Sequence, residues 1–297
     1  MNEVVKISEE WLVTKHSNTS IFYRVWSPLQ SIPTATIVFL HGFGEHTGRY
    51  LKNFEKFAQA GIKVVAFDQR GHGETGKKIN SLGTGSDLST LFKDIDEFIE
   101  KFYDPSVNLI LMGFSCGGLA SFNYAINGSK RNLLNGLIGC SPGFKLSAGP
   151  PNSVVLFTLR NLAKVIPNYT FKLEIDASCL SRDEEVVQQY IKDPLVTSRC
   201  SVAYLNEALV QGYIQSNANK IQIKNILITH GTADKSALPE GSQEMYELLK
   251  QNTEYATLKL YNDGYHELHN DLCREKVLND YIHWINNLDP ALIQSKF

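Results

Sequence analysis

One serine stands in Gly113-Phe114-Ser115-Cys116-Gly117-Gly118, directly after the apolar run Asn108 to Met112 and just before a helical pattern. A G-x-S-x-G run between strand and helix is the sequence of a sharp turn that lifts the serine hydroxyl above the sheet. Side chains at Gly113 and Gly117 would collide across such a turn. A serine hydroxyl is a poor nucleophile unless a base takes its proton, so the motif calls for a histidine and an acid elsewhere. Two later loops supply them. Asn225 to Thr229 leads into His230-Gly231-Thr232-Ala233-Asp234, and Thr257 to Tyr261 leads into Asn262-Asp263-Gly264-Tyr265-His266. Ser115, Asp234 and His266 thus follow one another at the ends of successive strands, where an open parallel sheet assembles its site. The expectation is that Ser115 attacks and His266 serves first as base and then as acid. Asp234 would hold the imidazole tautomer and offset its charge.

Other residues compete for these roles. Asp263 is close to His266 in sequence, but it shares the same loop and would reach the ring with difficulty. His269 would be the base if the loop were shifted. His230 and His72 are read as loop-packing residues. A third strand end, Thr36 to Leu40, runs into His41-Gly42-Phe43-Gly44-Glu45-His46. A glycine-flanked loop turns its amides inward, and the Phe43 N–H would join that of Cys116, at a helix N-terminus, as an oxyanion hole. His41 and His46 suggest a metal only in isolation, since no cysteine or carboxylate array completes a ligand set. No metal or other cofactor is expected.

The elements that must position these groups are legible as alternating patterns. Phe22 to Trp26, Ala35 to Leu40, Lys63 to Phe67, Asn108 to Met112, Leu134 to Gly139, Asn225 to Thr229 and Thr257 to Tyr261 are apolar runs of strand length. Leu88, Leu91, Phe92, Ile95, Ile99 and Phe102 recur at spacings of three and four. Asp94, Asp96, Glu97 and Lys101 between them are expected in water. Val277, Tyr281, Trp284 and Ile285 mark a closing helix. Continuous apolar strands, each followed by a helix, predict an α/β fold with a mostly parallel sheet covered on both faces. The alternation breaks from about residue 145 to 216, a stretch of helical pattern with Pro150-Pro151, Pro167 and Pro194 and no convincing strand. This predicts a core of residues 1–144 and 217–297 with a helical cap inserted at 145–216. A separate small helical domain is the alternative.

The bulk properties exclude several classes. With 29 basic and 31 acidic residues and no long run of either sign, the chain lacks the concentrated field that nucleic-acid binding requires. Five scattered cysteines at 116, 140, 179, 200 and 273 form neither a disulfide framework nor a metal cluster, and read as free thiols in a reducing compartment. No N-terminal apolar stretch or membrane-length run is present, so a cytoplasmic protein is expected. The final Ser295-Lys296-Phe297 departs at one position from a peroxisomal Ser-Lys-Leu address, which is the alternative. Oligomeric state is not legible. Val154 to Ile166 is an apolar-rich helix candidate with Arg160 and Lys164 four apart. It is expected to be partly exposed and to bring the cap into peripheral contact with a membrane or lipid droplet. The rival reading packs that helix against the core.

Five runs together resemble the monoglyceride lipase and lysophospholipase-like branch of the α/β-hydrolases. They are His41-Gly42-Phe43-Gly44-Glu45-His46-Thr47-Gly48-Arg49-Tyr50, Phe67-Asp68-Gln69-Arg70-Gly71-His72-Gly73, the Ser115 elbow, Asp193-Pro194-Leu195 and His266-Glu267-Leu268-His269. They fall in family order from residue 41 to 269. The resemblance implies the α/β-hydrolase fold, a lipid ester substrate, a glycerol head group held near Glu45, Arg49 and His269, and an acyl tunnel bordered by the Val154 to Ile166 helix. It implies a serine ester hydrolase, with monoacylglycerol as substrate and a lysophospholipase or short-chain carboxylesterase as the alternative. Two departures stand out. The family often has His-Ser-Met where this chain has Phe114-Ser115-Cys116, and the cap is the least similar part. Epoxide hydrolases and dehalogenases need an aspartate at position 115. Peptidase, acyltransferase and non-catalytic ligand-binding modules are the remaining readings.

Overall fold

Strands that must be buried on both faces read as unbroken apolar runs, and in the computed structural model such runs form the centre of one sheet. The structure describes residues 4–149, 152–173, 175–209 and 212–288. In chain order the strands are β1 (Val5–Val13), β2 (Ser20–Pro28), β3 (Ala35–Leu40), β4 (Ile62–Phe67), β5 (Asn108–Phe114), β6 (Gly136–Cys140), β7 (Thr170–Lys172), β8 (Arg199–Ser201), β9 (Asn225–Gly231) and β10 (Tyr255–Tyr261). The main sheet has eight strands in the order β1-β2-β4-β3-β5-β6-β9-β10. Only β2 runs against its neighbours, and the pairs from β4 to β10 are all parallel.

The helices are α1 (Leu51–Gln59), α2 (Gly73–Lys78), α3 (Leu88–Phe102), α4 (Cys116–Asn127), α5 (Ser153–Val165), α6 (Glu184–Lys192), α7 (Val202–Leu209), α8 (Gly212–Ser216), α9 (Pro239–Lys250) and α10 (Arg274–Asn286). Side chains alternate across each strand, so the sheet divides the core into two layers. Val38 and Leu40 join Ile95 and Phe98 of α3, Phe122 of α4 and Met245 of α9 on one face. Ile37 and Phe39 join Phe54 and Phe57 of α1 and Tyr281 of α10 on the other. The expected α/β architecture with helices on both faces is therefore present.

One strand was not foreseen, and two sequence expectations need correction. The first strand, β1, has no run of buried side chains, because it is held by nine residues of backbone pairing to β2 at the sheet edge. Hydrophobic periodicity could not reveal it. Within the stretch expected to hold no strand, β7 and β8 pair antiparallel over three residues each, too short to carry a period-two signal. Asp94, expected in water, is fully buried. Arg70 holds it through two hydrogen bonds, Nε to Oδ2 at 2.7 Å and Nη2 to Oδ1 at 2.8 Å. A paired carboxylate can enter a helix's apolar face where a lone one cannot.

The segment between β6 and β9 lies over the carboxyl ends of the strands, tied to the loops that follow them. Thr197 N–H donates to Gly44 O, Glu267 N–H to Leu180 O and Leu238 N–H to Lys145 O. His46 Nε2 meets Asp193 Oδ2 at 2.8 Å, and an ion pair joins Arg182 to Asp271. Its helix α5 buries Leu159, while Val154, Val155, Phe157 and Val165 are exposed. None of the described helices is long and apolar enough to cross a membrane. The Ser295-Lys296-Phe297 terminus and Pro150-Pro151 lie outside the described residues.

Candidate active site

The turn from β5 into α4 explains why glycines flank Ser115. Ser115 has φ +52°, a left-handed conformation that a non-glycine residue adopts at an energetic cost. A Cβ on Gly113 would stand 2.2 Å from Gly117 O, and one on Gly117 would stand 2.3 Å from Leu40 O. Neither position has room for a side chain. The turn leaves the Ser115 hydroxyl at the sheet's carboxyl edge, where the loops after β9 and β10 converge.

Ser115 Oγ lies 2.8 Å from His266 Nε2, and His266 Nδ1 lies 2.7 Å from Asp234 Oδ2. The structure thus brings together all three expected residues, which are 32 to 151 positions apart in sequence. Asp234 Oδ1 accepts from the Ser236 and Ala237 amides, which leaves Oδ2 for imidazole. Burial pushes the Asp234 carboxyl up, but the charges of His266 and His230 and their hydrogen bonds outweigh it and hold the group well below its ordinary value. Burial pulls the His266 imidazole down, and the neighbouring Asp234 more than reverses this, so its pKa is raised.

The rival residues lie elsewhere. Asp263 is at the exposed tip of its loop with φ +56°, and its carboxylate accepts from Asn262. His41 is buried between Gly42 O and the Gln69 amide, and His46 points to Asp193. His72 sits against the rings of His41, Phe43 and Tyr204, and burial drives it down to about 4. His269 Nδ1 faces Cys140 Sγ at 3.8 Å rather than the serine.

Phe43 and Cys116 follow the ends of β3 and β5, which are neighbouring parallel strands. Cys116 opens α4, so its amide is one of the N–H groups without a partner inside the helix. Burial pushes the Cys116 thiol up, so it stays protonated. From Cys116 a cavity of about 560 Å³ runs between α3, α4 and α7, with Leu88, Leu91, Phe92, Leu119 and Ile214 among its walls; α5, expected to border an acyl tunnel, contributes none of them. This falls within the roughly 300–1,000 Å³ typical of small-molecule sites.

Glu45 and Arg49 do form a polar cluster, with a partner that sequence reasoning assigned no role. Arg49 Nη1 contacts Glu45 Oε2 at 2.7 Å, and its two Nη atoms grip Glu267 Oε1 and Oε2 at 2.6 and 2.7 Å. Only 8% of the Arg49 side chain is exposed. Glu45 Oε1 also accepts from Tyr50 Oη and the Gly42 amide. Burial pushes the Glu267 carboxyl up, but Arg49 outweighs it and holds the group at about 2. Burial dominates at Glu45, whose carboxyl is raised. His269 stacks on Tyr50, is pulled down to about 4 by burial, and has an Nε2 with no hydrogen-bond partner among the described residues. Glu267 was readable as a charged residue beside a candidate base, but nothing in the sequence revealed its partner.

Residues 31–273 match the model of the serine aminopeptidase S33 family. A "Putative monoglyceride lipase" of Schizosaccharomyces pombe is 33% identical over 84% of this chain, which spans 66% of that protein's length. A monoacylglycerol lipase of Mycolicibacterium smegmatis is 30% identical, over 89% of this chain and 92% of that protein. Among solved structures, a soluble variant of monoglyceride lipase from Saccharomyces cerevisiae, in complex with a substrate analog, superposes with a TM-score of 0.79. It is 25% identical over 97% of this chain and 98% of that one.

Proposed function

Given that the chain belongs to the serine aminopeptidase S33 family, in the monoglyceride lipase-like branch of the α/β-hydrolases, we propose that it hydrolyses monoacylglycerols through an acyl-enzyme on Ser115. His266 Nε2 takes the serine proton as Oγ attacks the ester carbonyl. The Phe43 and Cys116 amides receive the developing oxyanion. His266 then hands its proton to the departing glycerol oxygen, and water repeats the sequence to release the fatty acid. Asp234 keeps Nδ1 protonated throughout.

The observation that carries this reading is the unbroken chain of hydrogen bonds from Ser115 through His266 to Asp234, beside an apolar-walled cavity that suits an acyl chain. The glycerol end is assigned to the Glu45, Arg49 and His269 cluster. Of these three, His269 has the unfilled polar atom, so it is the direct contact, while the ion-paired Glu45 and Arg49 hold the surrounding loops. Residues 145–216 act as a cap over the cavity. On it, the exposed apolar side chains of α5, flanked by Arg160 and Lys164, rest on a lipid surface.

Fluorophosphonate labelling and a panel of monoacylglycerols, lysophospholipids and short p-nitrophenyl esters test the proposal. Wild type should be labelled and should prefer monoacylglycerol, whereas Ser115→Ala should lose label and activity with its fold intact. Labelling that survives at another serine refutes the nucleophile. Preference for a lysophospholipid or a short ester refutes the substrate.

A further inference from the structure

Asp234 is held by two histidines. His230, the penultimate residue of β9, is completely buried, and its Nε2 lies 3.0 Å from Asp234 Oδ2 and 2.9 Å from Ala237 O. A carboxylate and a carbonyl oxygen can only accept, so Nε2 carries a proton and donates. Its other nitrogen, Nδ1, is fixed at 2.7 Å by Ser242 Oγ of α9. The same Oδ2 receives His266 Nδ1 at 2.7 Å. Each carboxylate oxygen therefore takes two N–H groups, and the ring planted in the sheet fixes the plane in which Oδ2 meets the base.

We propose that His230 is a positioning residue for the Ser115–His266–Asp234 site, aiming Asp234 Oδ2 at His266 and moderating its pull on the imidazole by donating a second hydrogen bond. It touches no reacting atom and acts through Asp234. This rests on the reading that Asp234 is the catalytic acid. In its absence the carboxylate rotates more freely and attracts the imidazolium more strongly. His266 then holds its proton to higher pH and orients less well for Ser115. His266 also faces Glu267 and Glu45, which stay the same in every variant below.

The test compares His230→Leu, His230→Gln and Ser242→Ala on one soluble ester, each with a full pH profile and a melting curve. Leucine fills space without donating. Glutamine places an amide N–H near the lost Nε2 and an acceptor toward Ser242. His230→Leu is expected to lower kcat on the order of ten- to a hundredfold, as for loss of one hydrogen bond to a charged group, while leaving KM within about twofold. Its acid limb should move to higher pH, and His230→Gln should restore most of both. Ser242→Ala frees the ring and should lower kcat a few-fold in the same sense, so the inference stays testable if His230→Leu does not fold. Equal impairment of His230→Leu and His230→Gln with an unmoved acid limb overturns the inference, as does full activity in His230→Leu or an unchanged kcat in Ser242→Ala. Asp234→Asn, assayed alongside, separates the two failures. If it is harmless, the acid assignment itself is wrong. If it is damaging while His230→Leu is silent, only the role of His230 falls.

Discussion

Replacing Arg49 with methionine keeps the unbranched stem of the side chain and removes its charged guanidinium. Three N···O contacts of 2.6–2.7 Å disappear, and two buried carboxylates, Glu45 and Glu267, are left facing each other. Breaking a buried pair by removing one partner costs about 3–5 kcal/mol, a large share of the roughly 5–15 kcal/mol that keeps a domain folded. The pH dependence follows from Glu267. A carboxyl held at about 2 in the fold contributes stability above its unfolded value of roughly 4.3 and loses it as pH falls toward 2. Arg49→Met deletes that contribution. The carboxyls left in the variant are buried without a counter-charge, so they take up protons at higher pH than usual. The stability gap should be full at about pH 7 and smaller at about pH 5. Urea unfolding at both pH values reads it directly. Hydrolysis of monoacylglycerol and of a p-nitrophenyl ester should fall together, because the loops on either side of the site loosen. A loss below about 1 kcal/mol, equal at both pH values, with monoacylglycerol hydrolysis selectively damaged, would refute this and make Arg49 a direct substrate contact.

Asp234→Asn should lower kcat on the order of ten-thousandfold. The amides of Ser236 and Ala237 keep the oxygen on their side, which turns the NH2 group toward His266 and forces the wrong tautomer. A loss under about tenfold would shift the acid role away from Asp234. In the wild type, kcat/KM should decline as pH drops through a value above the ordinary histidine pKa of roughly 6.5, since Asp234 raises that of His266 and only the neutral ring accepts the serine proton. An acid limb below that value contradicts the assignment. Replacing Val154, Phe157 and Val165, all at least 69% exposed, with serine should weaken vesicle binding and slow long-chain hydrolysis while sparing a short soluble ester. Equal loss on both substrates would mean that this face of α5 serves folding. Leu159 is unsuitable for that experiment because it is buried.

The sheet and the three proposed catalytic residues were legible because their signals are local. A G-x-S-x-G run between strand and helix, and acid and histidine just past apolar runs, need no tertiary knowledge. What was missed depends on pairs far apart in the chain. Asp94 looked like a solvent residue until Arg70, 24 positions away, made its burial tolerable. Glu267 acquired meaning from Arg49, 218 positions away. His230 seemed a packing residue because nothing in its neighbours reveals that its ring turns back onto Asp234. The edge strand β1 was invisible for another reason. Its nine residues pair along β2 at the sheet edge, and their burial follows no period of two.

The pairing of β6 with β9 aligns Gly136 with Asn225, whereas β5 and β6 align Ile110 with Gly136. Closing the longer of these two loops requires a larger sacrifice of chain entropy, but the penalty grows only logarithmically, at about 0.6 kcal/mol per doubling of length. The whole excursion between β6 and β9 therefore adds only about 1 kcal/mol beyond the shorter crossover. Its kinetic consequence is larger, since distant parallel pairing slows folding. The site, built from the ends of β5, β9 and β10, is complete only when that distant pairing is made. Evolution can accordingly lengthen or redraw the segment above Ser115 at little thermodynamic expense, reshaping the approach to the site while the frame beneath remains the same.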